Sequence, residues 1–89
     1  MAPSKEFLNA VETVKKLSTE PTTEELMELY GLYKQVTVGD INIEQPSFFS
    51  FREGKKWTAW NNYKGMDRFD AEVKYVITVN KLIKAYGLN

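Results

Sequence analysis

The stretch GDINIEQPSFF, residues 39–49, decides the fold because it is the long connection between segments that read as helices. Its roughly ten residues can extend about 35 Å, at roughly 3.3–3.6 Å per residue. The helical segment before it, from about Thr23 to Val38, is only about 24 Å long at a rise of about 1.5 Å per residue. The connection can therefore run back along that whole helix, which allows the second and third helices to be parallel.

Four segments carry apolar residues at the three- and four-residue spacing of an amphipathic helix, and none alternates strictly like a half-buried strand. Their approximate spans are 4–17, 23–38, 50–64 and 67–86. The first and last connections are only a few residues long, so each predicts a pair of antiparallel neighbouring helices. We therefore predict an all-α four-helix bundle with one long overhand connection between helices two and three, in a single domain over residues 1–89.

Residues that favour helix ends agree with these spans. The side-chain oxygen of an N-cap accepts a hydrogen bond from a free N–H of the first turn. Suitable residues precede or open three of the segments, namely Ser4, Thr22 or Thr23, and Asp67. Gly65 and Gly87 follow the last two helices, where glycine is the favoured C-terminal residue.

The composition excludes several classes of function. The 89 residues include no cysteine and no histidine, so the sequence predicts no zinc finger, thiol nucleophile or serine–histidine triad. The formal net charge is zero, which disfavours a general nucleic-acid binder. No apolar run approaches the roughly 20 residues that cross a bilayer, and the start MAPSKEF has no hydrophobic signal core. We expect a cytoplasmic, soluble protein without a metal ion or cofactor.

Helix two divides into a core stripe and a flank on a helical wheel. The predicted core stripe consists of Leu26, Leu29, Leu32, Tyr33 and Val36. The flank carries Met27, Tyr30 and Lys34. In one interpretation the tyrosines lie at the edge of the core and Lys34 extends into water. In the other, the flank is the rim of a ligand site, with rings for a flat group and an ammonium for phosphate.

Helices three and four also bring aromatic and basic residues together. Lys56 lies within about 40° of Trp60 on the wheel of helix three. Helix four carries two apolar faces, so we expect it to bury both. The first face consists of Tyr75, Val79, Leu82 and Tyr86, and the second of Phe69, Val73, Val76, Ile77 and Ile83. Asn80 points into the second face, which predicts a buried amide bonded to a neighbouring helix, to loop backbone or to a ligand.

Catalysis finds little support in the sequence. Asp40, Glu44 and Glu53 lie in predicted loops or at helix starts, without the spacing of a paired acid and base or of a metal cluster. The stretch FREGKKW, residues 51–57, has the wrong glycine spacing for a phosphate-binding loop. Any bound phosphate would therefore depend on lysines and tyrosines.

Five segments resemble the acyl-CoA-binding protein family in order and separation, and together they extend over nearly the whole chain. They are LYGLYKQVTVGDIN, QPSFF, KKWTAWNNYKG, DAEVKYV and AYG. The resemblance implies a small four-helix bundle that binds medium- to long-chain fatty acyl-CoA thioesters. It further implies a carrier that holds a pool of these thioesters and delivers them, through transient contacts, to membranes or to enzymes that use them. We expect a monomer, because a groove must stay open to admit the ligand. Members of the family are not enzymes themselves.

The resemblance also implies which residues bind the phosphates of coenzyme A. Tyr30 and Lys34 match the family's contacts to the CoA phosphates. Lys56, the lysine before the first tryptophan, matches the residue that meets the ribose 3′-phosphate. These three positions combine the residue types that the helical wheels had placed together.

Further positions complete the expected acyl-CoA site. Tyr33 and Tyr75 match residues near the adenine and phosphate groups. In helix one, Lys15 matches an additional cation and Val11 matches a small residue that lines the groove. Met27, on the same flank of helix two as Tyr30, belongs to the predicted site as well.

Several positions depart from the family pattern. Glu20 stands where many members carry lysine, which weakens the attraction for phosphate at that edge. Gly31 lies inside helix two, where glycine costs up to about 1 kcal/mol relative to alanine but permits closer packing. The residues SFF, 47–49, replace a small hydrophobic turn, and Ser50 replaces an acidic cap. These departures leave the preferred acyl-chain length undetermined.

Two other classes of function fit the same residues less well. A helical protein-interaction module would dock a partner helix through the aromatic flank, and it would need no lysines beside the rings. A nucleotide-binding or hydrolytic enzyme comes third, because the sequence offers no catalytic pair.

Overall fold

The computed structural model describes residues 3–46 and 51–89. It contains four helices, α1 (Lys5–Val14), α2 (Thr23–Thr37), α3 (Phe51–Asn61) and α4 (Arg68–Tyr86). In the part of the chain described, the β structure is limited to one isolated bridge between Leu17 and Leu88. The predicted all-α four-helix bundle is therefore confirmed.

The predicted N-caps begin three of the helices. The Ser4 hydroxyl accepts from the N–H of Phe7, and the Asp67 carboxylate accepts from the N–H of Phe69. Thr22 forms a capping box with Glu25, in which each side chain accepts from the backbone N–H of the other residue, at 3.2 Å and 2.8 Å. These bonds satisfy N–H groups that have no partner within the helix.

α1 is shorter than predicted, because it ends at Val14 and not at Leu17. Leu17 is nevertheless buried in the core, where it pairs with Leu88 after the end of α4. The Ser18 N–H donates to the Gly87 carbonyl at 2.9 Å, and the Asn89 N–H donates to the Lys16 carbonyl at 2.9 Å. The apolar spacing continued past Val14 because Leu17 packs in the core in a non-helical conformation.

α3 also ends earlier than predicted, at Asn61 and not at Lys64. The residues that follow form a turn, in which the Met66 N–H donates to the Tyr63 carbonyl at 3.0 Å. The predicted start of this helix at Ser50 and the stretch SFF lie outside the described residues. The bounds of α2 and α4 lie within one residue of the predicted spans.

Side-chain contacts give the relative directions of the helices. Lys56 lies over the ring of Tyr30, and Lys34 lies over the ring of Trp60, so α2 and α3 advance together and are parallel. This confirms the parallel arrangement of helices two and three that the length of the connection allows. The Tyr86 hydroxyl, at the end of α4, donates to Glu25, at the start of α2, so α2 and α4 are antiparallel.

The packing pairs differ from the predicted ones. α2 packs against α3 and α4, and α1 packs against α4. Within residues 3–46 and 51–89, α1 and α2 make no close backbone approach, and neither do α3 and α4. The prediction that short connections make these pairs direct neighbours was therefore wrong. Because α1 and α2 both rest on α4, a gap remains between them, and this gap becomes the candidate site.

α4 buries one of its two predicted apolar faces and only part of the other, from which Val76 and Ile83 are half-buried against the core. Its buried residues are Ala71, Tyr75, Val79 and Leu82. Phe69, Val73 and Ile77, from the second face, are exposed, and so is Asn80. The prediction of a buried amide at Asn80 was wrong, because no described helix covers that side of α4.

The connection after α2 is held by a set of hydrogen bonds that we call the loop anchor, defined by Gln35, Asp40 and Trp60. Gln35 is 1% exposed, and its amide nitrogen donates to Asp40 Oδ1 at 2.8 Å and to the Met66 carbonyl at 2.9 Å. Asp40 Oδ1 also accepts from the Gly65 N–H, and the Trp60 indole donates to the Gly39 carbonyl, both at 2.8 Å. The Gln35 bond and then the Gly65 N–H hold the pKa of Asp40 below its usual value. The anchor thereby joins the end of α2 to both ends of the turn after α3.

Candidate ligand-binding site

A groove of about 300 Å³ lies between α1 and α2, over α4. We call it the tyrosine groove, and its lining residues are Val14, Lys15, Pro21, Leu26, Leu29, Tyr30, Tyr33 and Tyr75. Four of the predicted site residues therefore come together here, with Tyr30 and Tyr33 on α2, Tyr75 on α4, and Lys15 directly after the end of α1. The groove exists because α1 and α2 pack on α4 and not on each other.

Phe7 supports the aromatic wall of the tyrosine groove. It is fully buried, with its ring centre 4.9 Å from that of Tyr75 and 6.0 Å from that of Tyr33. Burial, with a smaller contribution from Tyr33, raises the pKa of Tyr75 to about 12. The Tyr75 phenol therefore keeps its proton at neutral pH and can act as a hydrogen-bond donor. Tyr33 is 40% exposed, so its ring remains available to a ligand.

The three predicted lysines differ in their relation to the tyrosine groove. Lys15 lines it directly, and its Nζ lies 3.2 Å from the Glu12 carboxylate. The Lys56 Nζ lies 5.6 Å from the ring centre of Tyr30, and the Lys34 Nζ lies 4.8 Å from the ring centre of Trp60. The sequence had placed Lys56 beside Trp60 on its own helix, whereas the structure pairs each lysine with a ring of the other helix.

Few acidic side chains compete with a ligand for the two lysines that lie over rings. Among residues 3–46 and 51–89, the ion pair of Lys15 with Glu12 is the only one. The contact of Lys56 with the partly exposed ring of Tyr30 gains only about 0.5–1 kcal/mol, less than a charged hydrogen bond to phosphate. Burial and then the nearby Glu53 carboxylate raise the pKa of Tyr30, so this phenol also stays protonated. The arrangement can therefore bind a polyanion that carries a flat ring.

A larger cleft of about 800 Å³ lies between α2 and α3, on the other side of α2. We call it the interhelical cleft, and its described lining residues are Thr23, Glu24, Met27, Glu28, Gln45, Pro46, Phe51, Gly54, Lys55, Thr58, Ala59, Asn62 and Tyr63. Met27 is the one predicted site residue among them. Tyr30 lies three residues further along α2, so the ridge between the groove and the cleft passes between these two side chains.

Residues 3–46 and 51–89 contain neither a cluster of metal-ligating side chains nor a membrane-spanning helix. No group of three or more acidic, histidine or cysteine side chains in these ranges is arranged to hold a metal ion. None of the described helices is both long enough and apolar enough to cross a membrane.

The sequence matches a known family over most of its length. A family model described as "Acyl CoA binding protein" matches residues 4–79. The acyl-CoA-binding protein of Saccharomyces cerevisiae is 46% identical over 81 residues, which cover 91% of this chain and 93% of the relative. Acyl-CoA-binding protein 2 of Saccharomyces pastorianus is also 46% identical over 81 residues, with the same shares of the two chains covered, 91% and 93%. The chain belongs to the acyl-CoA-binding protein family.

Solved structures of acyl-CoA-binding proteins share the fold. The crystal structure of acyl-CoA-binding protein 2 from Oryza sativa is similar with a TM-score of 0.87 and 33% identity, over 91% of this chain and 88% of that one. The solution structure of the yeast protein gives a TM-score of 0.73 and 45% identity, over 94% and 98% of the two chains. The four-helix arrangement is therefore that of acyl-CoA-binding proteins, as the sequence motifs implied.

The predicted site of this acyl-CoA-binding protein is only partly gathered in one place. Lys56 adjoins the tyrosine groove through Tyr30, and Met27 lies in the interhelical cleft. Lys34 lies over Trp60, next to the loop anchor. Val11 packs against the core and is not among the lining residues of either cavity.

The sequence missed several apolar residues that line the tyrosine groove, namely Val14, Pro21, Leu26 and Leu29. It assigned both leucines to the core stripe of α2, yet Leu26 is 40% exposed, as is Tyr33 from the same predicted stripe. The signal was present in the spacing of Leu26, Tyr30 and Tyr33, which places them along one edge of that stripe. It would have pointed to a groove only if the absence of an adjacent helix had been known.

Proposed function

We propose that this protein binds medium- to long-chain fatty acyl-CoA thioesters, with the CoA head in the tyrosine groove and the acyl chain in the interhelical cleft. The observation that carries the proposal is the position of Tyr30. It lines the groove, lies under the ammonium of Lys56, and follows the cleft residue Met27 by about one turn of α2. One ligand that has a charged, ring-bearing head and an apolar tail suits two cavities that meet at this residue.

The head group fits the chemistry of the tyrosine groove. Coenzyme A presents a flat adenine, for which the rings of Tyr30 and Tyr33 offer stacking surfaces. Its phosphates require cations, which Lys15, Lys34 and Lys56 supply once they leave their present partners. Because a charged hydrogen bond is worth about 1.5–3 kcal/mol and a cation–ring contact less, this exchange favours the phosphates.

The acyl chain supplies most of the binding energy. Burial of each methylene is worth about 0.8 kcal/mol, so about fourteen methylenes contribute on the order of 11 kcal/mol before the costs of association. The apolar part of the interhelical cleft, which includes Met27, Pro46 and Phe51, offers the surface for this burial. The lysines then select CoA esters over free fatty acids.

The proposed role is that of a carrier and not of an enzyme. Such a carrier would work in the cytoplasm as a monomer, keeping acyl-CoA soluble, holding a pool of it and delivering it to membranes or enzymes. The absence of histidine and cysteine from the sequence supports this role, since neither a common general base nor a thiol nucleophile is available. Incubation with palmitoyl-CoA should release no free thiol above the rate in buffer.

Calorimetric titration with palmitoyl-CoA, free CoA and palmitate tests the proposal directly. We expect nanomolar or tighter binding of palmitoyl-CoA, much weaker binding of CoA, and little heat from palmitate. Equal affinity for palmitoyl-CoA and palmitate would contradict it, because the lysines would then have no part in recognition. A series of acyl lengths would give the chain-length preference and the effect of Glu20.

A helical interaction module remains the alternative from another class. It would dock an amphipathic partner helix through the aromatic flank of α2 without using the lysines. Tight binding of such a helical peptide that palmitoyl-CoA fails to displace would favour this alternative.

A further inference from the structure

We propose that the outer face of α4 is a docking surface for an anionic lipid bilayer. The face is an apolar ridge formed by Phe69, Val73 and Ile77, whose side chains are 69%, 42% and 48% exposed. These residues are spaced four apart, so they follow one another along the same side of the helix. A continuous exposed apolar stripe marks an interaction surface, whereas single exposed apolar residues need no explanation.

Lysines accompany this α4 ridge. At 100° per residue, Lys84 falls in line with Val73 and Ile77, Lys81 lies about 40° from Ile77, and Lys74 lies about 60° from it. All three are exposed. The acids of α4 are both near its start, where Asp70 is exposed and the Glu72 carboxylate accepts from the Ser4 N–H. The ridge is therefore apolar along its centre and basic along its second half.

The shape of the ridge favours a bilayer over a protein helix. A partner helix binds in a groove, and both of the cavities described above lie on other sides of the molecule. The ridge is the exposed side of one continuous helix, so it can lie flat in the headgroup region with its apolar side chains inserted. An apolar face flanked by lysines is the pattern of helices that lie in the membrane interface, and the lysines select anionic lipids.

Docking through the ridge leaves the ligand site accessible. Val73 and Tyr75 are two residues apart on α4, which separates them by about 200° around the helix. Tyr75 faces the tyrosine groove, so the groove opens away from a bilayer bound at the ridge. Loss of lipid binding and loss of acyl-CoA binding can therefore be measured separately.

Flotation with large unilamellar vesicles tests the apolar part of the ridge. The vesicles contain either phosphatidylcholine alone or phosphatidylcholine with phosphatidylserine. We expect the full chain to partition onto the anionic vesicles, and the double variant Phe69→Gln/Ile77→Gln to lose at least tenfold in partition coefficient. The matched control is Leu8→Gln/Val38→Gln, which removes two exposed apolar side chains from other faces and should bind like the wild type. Circular dichroism and palmitoyl-CoA titration should be unchanged in the ridge variant.

The charge variant tests the choice of lipid. A lysine near an anionic surface contributes about fivefold to the partition coefficient, so Lys81→Gln/Lys84→Gln should lower binding about tenfold or more. Lys5→Gln/Lys16→Gln, near the other end of the chain, should change it little. Equal binding to neutral and anionic vesicles, or equal losses in the ridge and control variants, would overturn the proposal. Saturable binding of an acidic amphipathic peptide at the ridge, without vesicle binding, would overturn it in favour of a protein partner.

Discussion

The tyrosine groove and the loop anchor come from the same short stretch of sequence, yet their side chains are used in opposite ways. Tyr33 is 40% exposed, and Lys34 is held only over a ring. Gln35, the next residue, is 1% exposed, and its amide nitrogen donates two hydrogen bonds. Adjacent residues in one helix thus belong to a candidate ligand site and to a structural network.

The anchor and the groove differ in how many of their hydrogen-bonding groups are already used within the protein. The polar atoms of the anchor mostly bond to the protein itself, so their work is to fix the long connection against α3 and the turn after it. The phenols and ammoniums of the groove keep most of their hydrogen-bonding capacity for a ligand. Changes in the anchor should therefore alter stability, and changes in the groove should alter binding.

The largest expected effect is on stability, for Gln35→Ala. The change removes the side-chain donor to the Met66 carbonyl, leaves Asp40 Oδ1 with the Gly65 N–H alone, and opens a cavity beneath the connection. We expect the free energy of unfolding to fall by about 2–4 kcal/mol, measured by urea denaturation. Gln45→Ala removes an exposed glutamine and should cost little. An equal loss in both variants would show that the anchor has no special role.

The next effect is on binding, for Lys56→Ala. If Lys56 meets the ribose 3′-phosphate, its loss removes a charged hydrogen bond worth about 1.5–3 kcal/mol, or about tenfold to a hundredfold in affinity. The free energy of unfolding should fall by no more than about 1 kcal/mol, since the protein loses only the contact of a half-buried ammonium with the Tyr30 ring. Calorimetry with palmitoyl-CoA gives the affinity.

Two controls isolate the role of Lys56. Lys16→Ala removes an exposed lysine that lies outside the groove lining, so affinity should hardly change. The 3′-dephospho form of palmitoyl-CoA should bind the wild type and Lys56→Ala with much more similar affinities. A similar loss with both ligands would remove Lys56 from the assigned role.

Gly31→Ala should reduce both the free energy of unfolding and the affinity for palmitoyl-CoA. It therefore differs from changes in the anchor or the groove, each of which should alter only one of these quantities. A Cβ at this position would collide with the Ala59 carbonyl on α3 and lie 3.0 Å from the Tyr63 ring. Such overpacking costs about 1–3 kcal/mol, partly offset by the better helix propensity of alanine. Because α3 must move away from α2, Lys56 leaves Tyr30 and affinity falls as well.

The control for Gly31 is Gly54→Ala on α3, where a Cβ would meet nothing within 4 Å. It should raise the free energy of unfolding by up to about 1 kcal/mol. Urea denaturation of both variants measures the two changes in the free energy of unfolding. A stabilising Gly31→Ala would mean that α3 can shift without loss of packing.

Caps and apolar spacing were enough to predict most of the fold, because they act locally. Thr22 and Asp67 begin their helices as predicted, and Gly87 ends α4. Leu26 and Asn80 were misplaced for a different reason. A helical wheel shows which residues share a face but does not show which neighbouring helix covers that face. α1 leaves Leu26 open, and no described helix covers Asn80.

The candidate site was predicted from the types of residue on each helix more than from the arrangement of the helices. Tyr30, Tyr33 and Lys34 stood out because rings and an ammonium share one side of a helix, and the family motifs supplied the ligand. The wheel could not predict that Lys56 would lie over Tyr30, since that contact depends on the register between two parallel helices. The separation of the interhelical cleft from the tyrosine groove depends on the same register.

The smallest expected effect is a pH dependence that belongs to the anchor and not to the groove. Bonds from Gln35 and Gly65 lower the pKa of Asp40 in the folded state, so the folded protein binds fewer protons at this site than the unfolded chain does. The resulting stabilisation is complete above the ordinary aspartate pKa of about 4 and is lost as the pH falls through the lower folded value.

Urea midpoints of the wild type should therefore fall between about pH 5 and pH 3 more steeply than those of Asp40→Asn, which keeps an acceptor oxygen but cannot titrate. Asp40→Asn and the wild type share the contribution of Glu25, whose pKa is also lowered by hydrogen bonds, so the difference between their curves belongs to Asp40. Parallel curves for the wild type and Asp40→Asn would show that the anchor holds equally well with Asp40 protonated.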